Sequence, residues 1–388
     1  MLNALAILFV ALMPLAVWAL ATGTWRRLLS VFCIRTSEMT VAKLGLQVSR
    51  PRDVARVNGV LANFAAGFNK MVTARNDEEW RSYLDSLPVI FQPFAHEGAA
   101  MGYELRRLFG FATWPVRLGA DGKAFERDIV RPEPGMRYLY YVGLGFWSGM
   151  KNESPKSVQR KARELDALHQ YLLFDGYGFK IAFFDQPTDP GALKKLDTFD
   201  GYARHAAYQG VGRALYFRHM DSVETLIERV RDLGVHDIDA AAGLGLASVF
   251  VNPDRLDMAQ ELGRQLPEAW QPHFQLGMCF ALKARIINDP VRFDEFMENV
   301  SKDVRDAALA SIRECDRAEL QIRSEATTNG YREWRKRVTA WMSQHVEFPM
   351  AAMQTSASVA GDSSIDWTND EEKPKAIKHA EVRNDDQF

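Results

Sequence analysis

Four stretches of this chain place two glycines one residue apart inside an apolar run. They are "YVGLGFW" (Gly143, Gly145), "FDGYGFK" (Gly176, Gly178), "YQGVGRA" (Gly210, Gly212) and "AAGLGLA" (Gly243, Gly245). The first glycines follow one another at 33, 34 and 33 residues. A fifth stretch, "FQLGMCFALKAR", keeps only Gly277, and "FAHEGAAMGYELRR", with Gly98, reads as a divergent earlier copy. A fixed period of this size is the signature of stacked supersecondary units. Between the glycine segments lie amphipathic second helices. "DSVETLIERVRDLG" opens with Asp221 and Glu224 as a capping-box-like start and stops at Gly234. "NPDRLDMAQELGRQLPE" offers Asn252 as cap with Pro253 behind it, and "SPKSVQRKARELDALHQ" repeats the device with Ser154 and Pro155. The unit is a helical hairpin of tetratricopeptide-like length. Each glycine costs up to about 1 kcal/mol of helix propensity against alanine, which close packing must offset. Two residues at i and i+2 lie on different faces of a helix, so some of these helices are expected to start or kink at the pair.

The fold class is therefore all-α: an N-terminal membrane anchor, then a curved array of helical-hairpin repeats of about 33 residues. The expected segments are an anchor (1–24), a helical preface with the first divergent repeat (25–110), a loop insertion or short hairpin (111–137), the repeats (138–300), closing helices (301–350) and a disordered acidic tail (356–388). Leu2 to Thr22 is 21 residues without a charge, enough to span about 30 Å of hydrocarbon. Arg26, Arg27, Arg35 and Lys43 follow it and no basic residue precedes it. That asymmetry points to a single-pass inner-membrane protein with its body on the cytoplasmic side. The alternative, a signal peptide cleaved after Ala19-Leu20-Ala21, lacks the usual basic start.

The net charge of −2 removes any broad basic field, and no nucleic-acid partner is expected. The three cysteines, Cys33, Cys279 and Cys315, are scattered and form no disulfide framework. "GLGFWSG" has the wrong spacing for a dinucleotide fingerprint, and no phosphate loop or nucleophile elbow occurs. His169, His205, His219 and His236 show no metal-ligand spacing. Neither a cofactor nor a metal is expected.

Polar residues inside the most apolar helices remain to be explained. Glu97, Asp175 and Arg213 are the catalytic candidates, and Gln209, Phe146, Phe179, Tyr216 and Arg285 are candidates for a ligand groove. The plainer reading makes the charged residues structural pairs between stacked helices, since buried charge must be paired. Asp175 and Gln209 share the slot before the first glycine, and Arg213 follows Gln209 by four residues on the same helical face. Contact between Asp175 and Arg213 is expected, with Glu97 joining from the earlier copy.

Taken together, "FAHEGAAMGYEL", "FDGYGFKIAFF", "YQGVGRALYF", "AAGLGLASVFVN" and "FQLGMCFALKAR" resemble an uncharacterised bacterial family encoded beside enediyne polyketide synthase cassettes. The resemblance implies a secondary-metabolite or lipid-like biosynthetic setting rather than a reaction. The leading expectation is an accessory protein tethered to the membrane that binds an apolar intermediate or a biosynthetic partner protein. The alternatives are an enzyme that isomerises, cyclises or hydrolyses a polyene-like intermediate with its buried acids, and a pure protein–protein scaffold. Whether any reaction is catalysed stays open.

Overall fold

The computed structural model describes residues 29–108, 121–298, 300–325 and 329–345. The expected anchor and acidic tail lie outside the described residues, as does the first part of the 111–137 segment. Every regular element among the described residues is helical, with no strand. Residues 121–136 form short helical turns, Asp121–Phe125, Glu126–Val130 and Pro134–Met136, rather than a hairpin.

Seven helices form an inner row. They are α1 (Pro51–Thr73), α2 (Gln92–Leu108), α3 (Arg137–Met150), α4 (Leu172–Lys180), α5 (Tyr202–Arg218), α6 (Asp237–Val251) and α7 (Gln271–Asn288). Each packs on the next in chain order. Neighbours run in the same direction: Tyr171 meets Tyr202 at one end of the α4–α5 pair, and Phe179 meets Phe217 at the other. The connecting helices Pro155–Ala162, Val223–Arg231, Leu256–Gln265 and Pro290–Met297 are amphipathic and bury only one stripe. Two long helices close the row, α8 (Lys302–Glu325) and α9 (Gly330–His345).

The glycine pairs do not start or break the helices, which run through them. Residues two apart on an α-helix lie about 200° apart around the axis, so one glycine faces the preceding helix and the other faces the next. A Cβ on Gly145 would stand 1.8 Å from the Leu173 carbonyl oxygen, and one on Gly176 would stand 1.9 Å from that of Val142. The same reciprocal contact joins Gly178 to Ala207 and Gly210 to Asp175. It recurs as Gly212 to Ala240 with Gly243 to Gln209, and as Gly245 to Phe274 with Gly277 to Ala242. Backbones at such range exclude every side chain except hydrogen, and the glycine Hα atoms point at carbonyl oxygens as weak donors.

Capping agrees with the sequence in one place and departs from it in two. Ser154 caps Pro155–Ala162 by accepting from the Ser157 N–H. The cap of Val223–Arg231 is Ser222, not Asp221. Leu256–Gln265 begins three residues beyond Pro253, because the Asn252 side chain is committed to Tyr216 and Arg255. Gly234 sits at φ +60°, a conformation that favours glycine, two residues beyond the Asp232 C-cap of Val223–Arg231, where it opens a short helical turn.

The row curls back on itself. The Phe94 ring on α2 meets Phe250 on α6 at 5.3 Å, and Arg255 and Arg56 pair with Asp53 and Asp254 to join the α6 end to α1. On α7, Asn288 donates to the Gly135 carbonyl. One described segment, Gly234–Val251, is apolar and long enough to cross a membrane, but it is mostly buried inside this core.

Gly243→Ala should therefore lower the unfolding free energy by about 3 kcal/mol in urea denaturation, since its Cβ would meet the Gln209 carbonyl at 1.9 Å. Gly191→Ala, whose nearest neighbour is a side-chain oxygen at 3.3 Å, should stay within about 0.5 kcal/mol of wild type. Equal effects would contradict the packing role of the pairs.

Candidate functional site

The inward faces of the row follow two repeat slots. The residue before the first glycine is Glu97, Val142, Asp175, Gln209, Ala242 or Leu276. The residue three after that glycine is Met101, Phe146, Phe179, Arg213, Leu246 or Phe280. The second set is apolar except for Arg213, which therefore enters an apolar ring as its single cation. The first set supplies the acids that can meet it.

They do meet. Arg213 Nη1 donates to Asp175 Oδ1, and Arg213 Nη2 reaches Glu97 Oε1 at 3.4 Å. Gln209 Nε2 donates to Asp175 Oδ2 at 2.8 Å. The guanidinium lies over the Phe179 ring, 5.1 Å from its centre. Asp175 is only 1% exposed and Arg213 6%, so the cluster is shielded from bulk water. A residue the repeats do not reach completes it: Arg335, on α9, donates to Gln209 Oε1 and lies near the Phe280 and Tyr331 rings. Arg213 is thus shared between two acids, as buried charge must be paired, and Arg335 reaches the cluster through the neutral Gln209 amide.

The charges are not equally secure. Burial works against charge on Arg213, but Asp175 and Glu97 outweigh it and raise its pKa. Burial also raises the Glu97 pKa, and Arg213 only partly opposes this. Arg213 lies closer to Asp175, so Glu97 holds the weaker share of one cation. The result is a carboxyl biased toward its neutral, proton-bearing form in an apolar wall.

Two cavities flank this cluster, and Glu97 and Arg213 line both. One, of about 60 Å³, is walled also by Val142, Leu246, Phe280 and, from α9, Tyr331 and Trp334. The other, of about 40 Å³, is walled by Phe64, Phe146, Phe179, Phe217 and the π-helical turn Ile181–Asp185 through Phe183 and Phe184.

Of the groove candidates, Phe146 and Phe179 line a cavity and Gln209 bridges the ion cluster. Tyr216 and Arg285 lie outside the linings of both cavities. The Tyr216 hydroxyl accepts from Asn252 Nδ2, beside the Arg255–Asp53 pair. Arg285 donates to the carbonyls of Phe250 and Ile90 and lies 4.3 Å from the Phe250 ring centre. Burial and the nearby Arg56 push it down to about 9, leaving it a cation at neutral pH. Its role is to clamp helix ends, as cations at helix C-termini do. Arg106 does the same for Met71 and Ala74, and Arg218 for Phe183. All three follow the first glycine of their segment by eight residues, a spacing visible in the chain.

No group of three His, Cys, Asp or Glu donors among the described residues converges in the cavities. Among the described residues, His205, His236 and Asp239 converge instead at the N-terminal ends of α5 and α6. Their separations in the chain carry no motif, and the stacking of α5 on α6 brings them together.

Asp175→Asn and Arg213→Gln should each cost about 3–5 kcal/mol of stability, with the double variant costing less than the sum. For Glu97 the raised folded-state pKa sets a sign. Its stabilising contribution is present at acid pH, below the unfolded value, and is lost as pH rises through the folded value. Glu97→Gln should thus gain stability relative to wild type as pH goes from acid to neutral. Denaturation curves that give a pH-independent difference would contradict this.

No curated protein and no solved structure matches the chain. Residues 22–342 match the family model described as "Protein of unknown function (DUF1702)". That match spans most of the chain and the whole of the inner row, and the chain belongs to this family.

Proposed function

We propose that the chain is a membrane-tethered accessory protein of a biosynthetic assembly, holding an apolar polyketide- or lipid-like intermediate inside the row. The observation that carries this reading is the pair of apolar cavities on either side of one buried ion cluster. Ligand sites are mostly apolar with a few placed polar groups, and these cavities have that composition. At about 60 and 40 Å³ they are far below the ~300 Å³ of an occupied ligand pocket. Loading therefore moves a wall, and α9 is the wall that stands outside the glycine-sealed row. The 33-residue period supports assigning the hairpins to the tetratricopeptide kind, whose concave faces hold partners. The uncharged Leu2–Thr22 run supports an inner-membrane anchor with the body in the cytoplasm. Proximity to enediyne polyketide synthase genes, implied by the resemblance of the glycine segments, supports the ligand class.

A second reading rests on Glu97 alone. A carboxyl whose pKa is raised by burial, at the edge of two apolar cavities, is suited to protonate a polyene, and isomerisation or cyclisation would follow. It predicts that Glu97→Gln binds the intermediate but forms no product.

The binding reading is tested with cis-parinaric acid, a fluorescent polyene fatty acid. Wild type should bind it saturably, and Ala284→Phe, which fills the first cavity, should weaken binding about tenfold, or ~1.4 kcal/mol. Absence of binding, or equal affinity in a folded Ala284→Phe variant, would sink it. Removal of residues 1–24 should move the protein from the membrane fraction to the supernatant, and retention in the membrane would overturn the tether.

A further inference from the structure

The His205, His236 and Asp239 cluster lies outside the cavities and takes no part in the ion cluster's hydrogen bonds. His205 is in the first turns of α5, His236 directly precedes α6, and Asp239 is in the first turn of α6. The Nδ1 atoms of His205 and His236 lie 2.8 and 3.3 Å from the same oxygen, Asp239 Oδ2. All three donor atoms fall within 4.8 Å of one another. Both rings are oriented by stacking: His236 lies on Tyr208 at 3.9 Å and 8°, and His205 lies on Tyr202 at 5.4 Å.

A zinc ion with bonds of about 2.0–2.1 Å in a tetrahedral arrangement spaces its ligand atoms roughly 3.3 Å apart. The His236–Asp239 edge already has that length. The His205–Asp239 edge must open by about half an ångström, and the His205 side chain is 45% exposed, with solvent on its outer side. The same exposure supplies an entry path and leaves room for a water in the fourth position.

We propose that His205, His236 and Asp239 form a binding site for a divalent transition metal of the zinc class, with one position open to solvent. Two imidazoles and one carboxylate make a donor set that suits zinc and its neighbours rather than magnesium or calcium. On binding, each Nδ1 presents its lone pair, so each neutral ring carries its proton on Nε2 instead and the carboxylate keeps its charge. Arg335 faces Asp239 and adds positive potential, while Asp237 on α6 itself and His273 on α7 lie nearby. One carboxylate against that guanidinium makes a weaker site than a thiolate-bearing one. Because Arg335 also holds Gln209, an ion here acts electrostatically on the cluster that divides the cavities.

The test is titration of chelator-treated full-length protein with Co²⁺ and Zn²⁺. Wild type should bind one equivalent of Co²⁺ with visible d–d bands of low-coordinate character, displaced by Zn²⁺, and Zn²⁺ should raise its melting temperature. His205→Ala, at a half-exposed position, should fold normally, bind at least about tenfold more weakly and lose the thermal shift. Asp239→Asn should do the same to the spectrum. Absence of saturable binding by wild type, or stoichiometric binding that persists in both variants, would overturn the site.

Discussion

The rest of this structure depends on a carbonyl oxygen standing where a side chain would be. At each junction of the inner row from α3 to α7, two glycines face two carbonyls of the neighbouring helix. The contact needs hydrogen at both positions, and it needs both at once. A single glycine would let one side of the helix approach and leave the other at ordinary distance. Gly-x-Gly serves both sides because two residues subtend about 200° of helix. Up to about 1 kcal/mol of propensity lost per glycine is set against backbone packing that no larger residue allows.

Close stacking has an electrostatic consequence. It brings the slots before and after each glycine into one ring, so that groups more than thirty residues apart in the chain become neighbours. Glu97, Asp175, Gln209 and Arg213 come from three different helices and lie within hydrogen-bonding or ion-pairing reach of each other. Buried in this way, neither acid is stable without a cation, and one guanidinium is shared unequally between them. Burial raises the Glu97 pKa and the shared guanidinium offsets this only in part, beside two largely apolar cavities.

How much of this could be read from the chain follows from what obeys the period. The Asp175–Arg213 contact was readable because both residues occupy repeat slots, and slot arithmetic converts a separation of 38 residues into adjacency. Arg335 was not, because α9 lies beyond the last repeat and no period places it. The placement of Arg285 was not readable, because a buried arginine in an apolar helix looks alike whether it lines a groove or clamps carbonyls. The recurrence at Arg106 and Arg218, eight residues past their glycines, distinguishes the two. The Tyr216 partner was hidden for a related reason: an amphipathic ring shows that a hydroxyl needs a partner, not which side of the helix supplies it. None of α3 to α6 starts at its glycine pair, because the opposed faces of the two glycines serve two contacts, one with each neighbouring helix.

If the glycine contacts position the ion cluster, the two must be energetically coupled, and a double-mutant cycle between Gly210→Ala and Asp175→Asn measures that directly. Gly210 meets the carbonyl of Asp175 itself, so an added methyl group pushes Gln209 and Arg213 away from the carboxylate. The account predicts that Asp175→Asn costs clearly less in the Gly210→Ala background, with a coupling above about 1 kcal/mol. Additivity within about 0.3–0.5 kcal/mol, in variants that both fold, would contradict it.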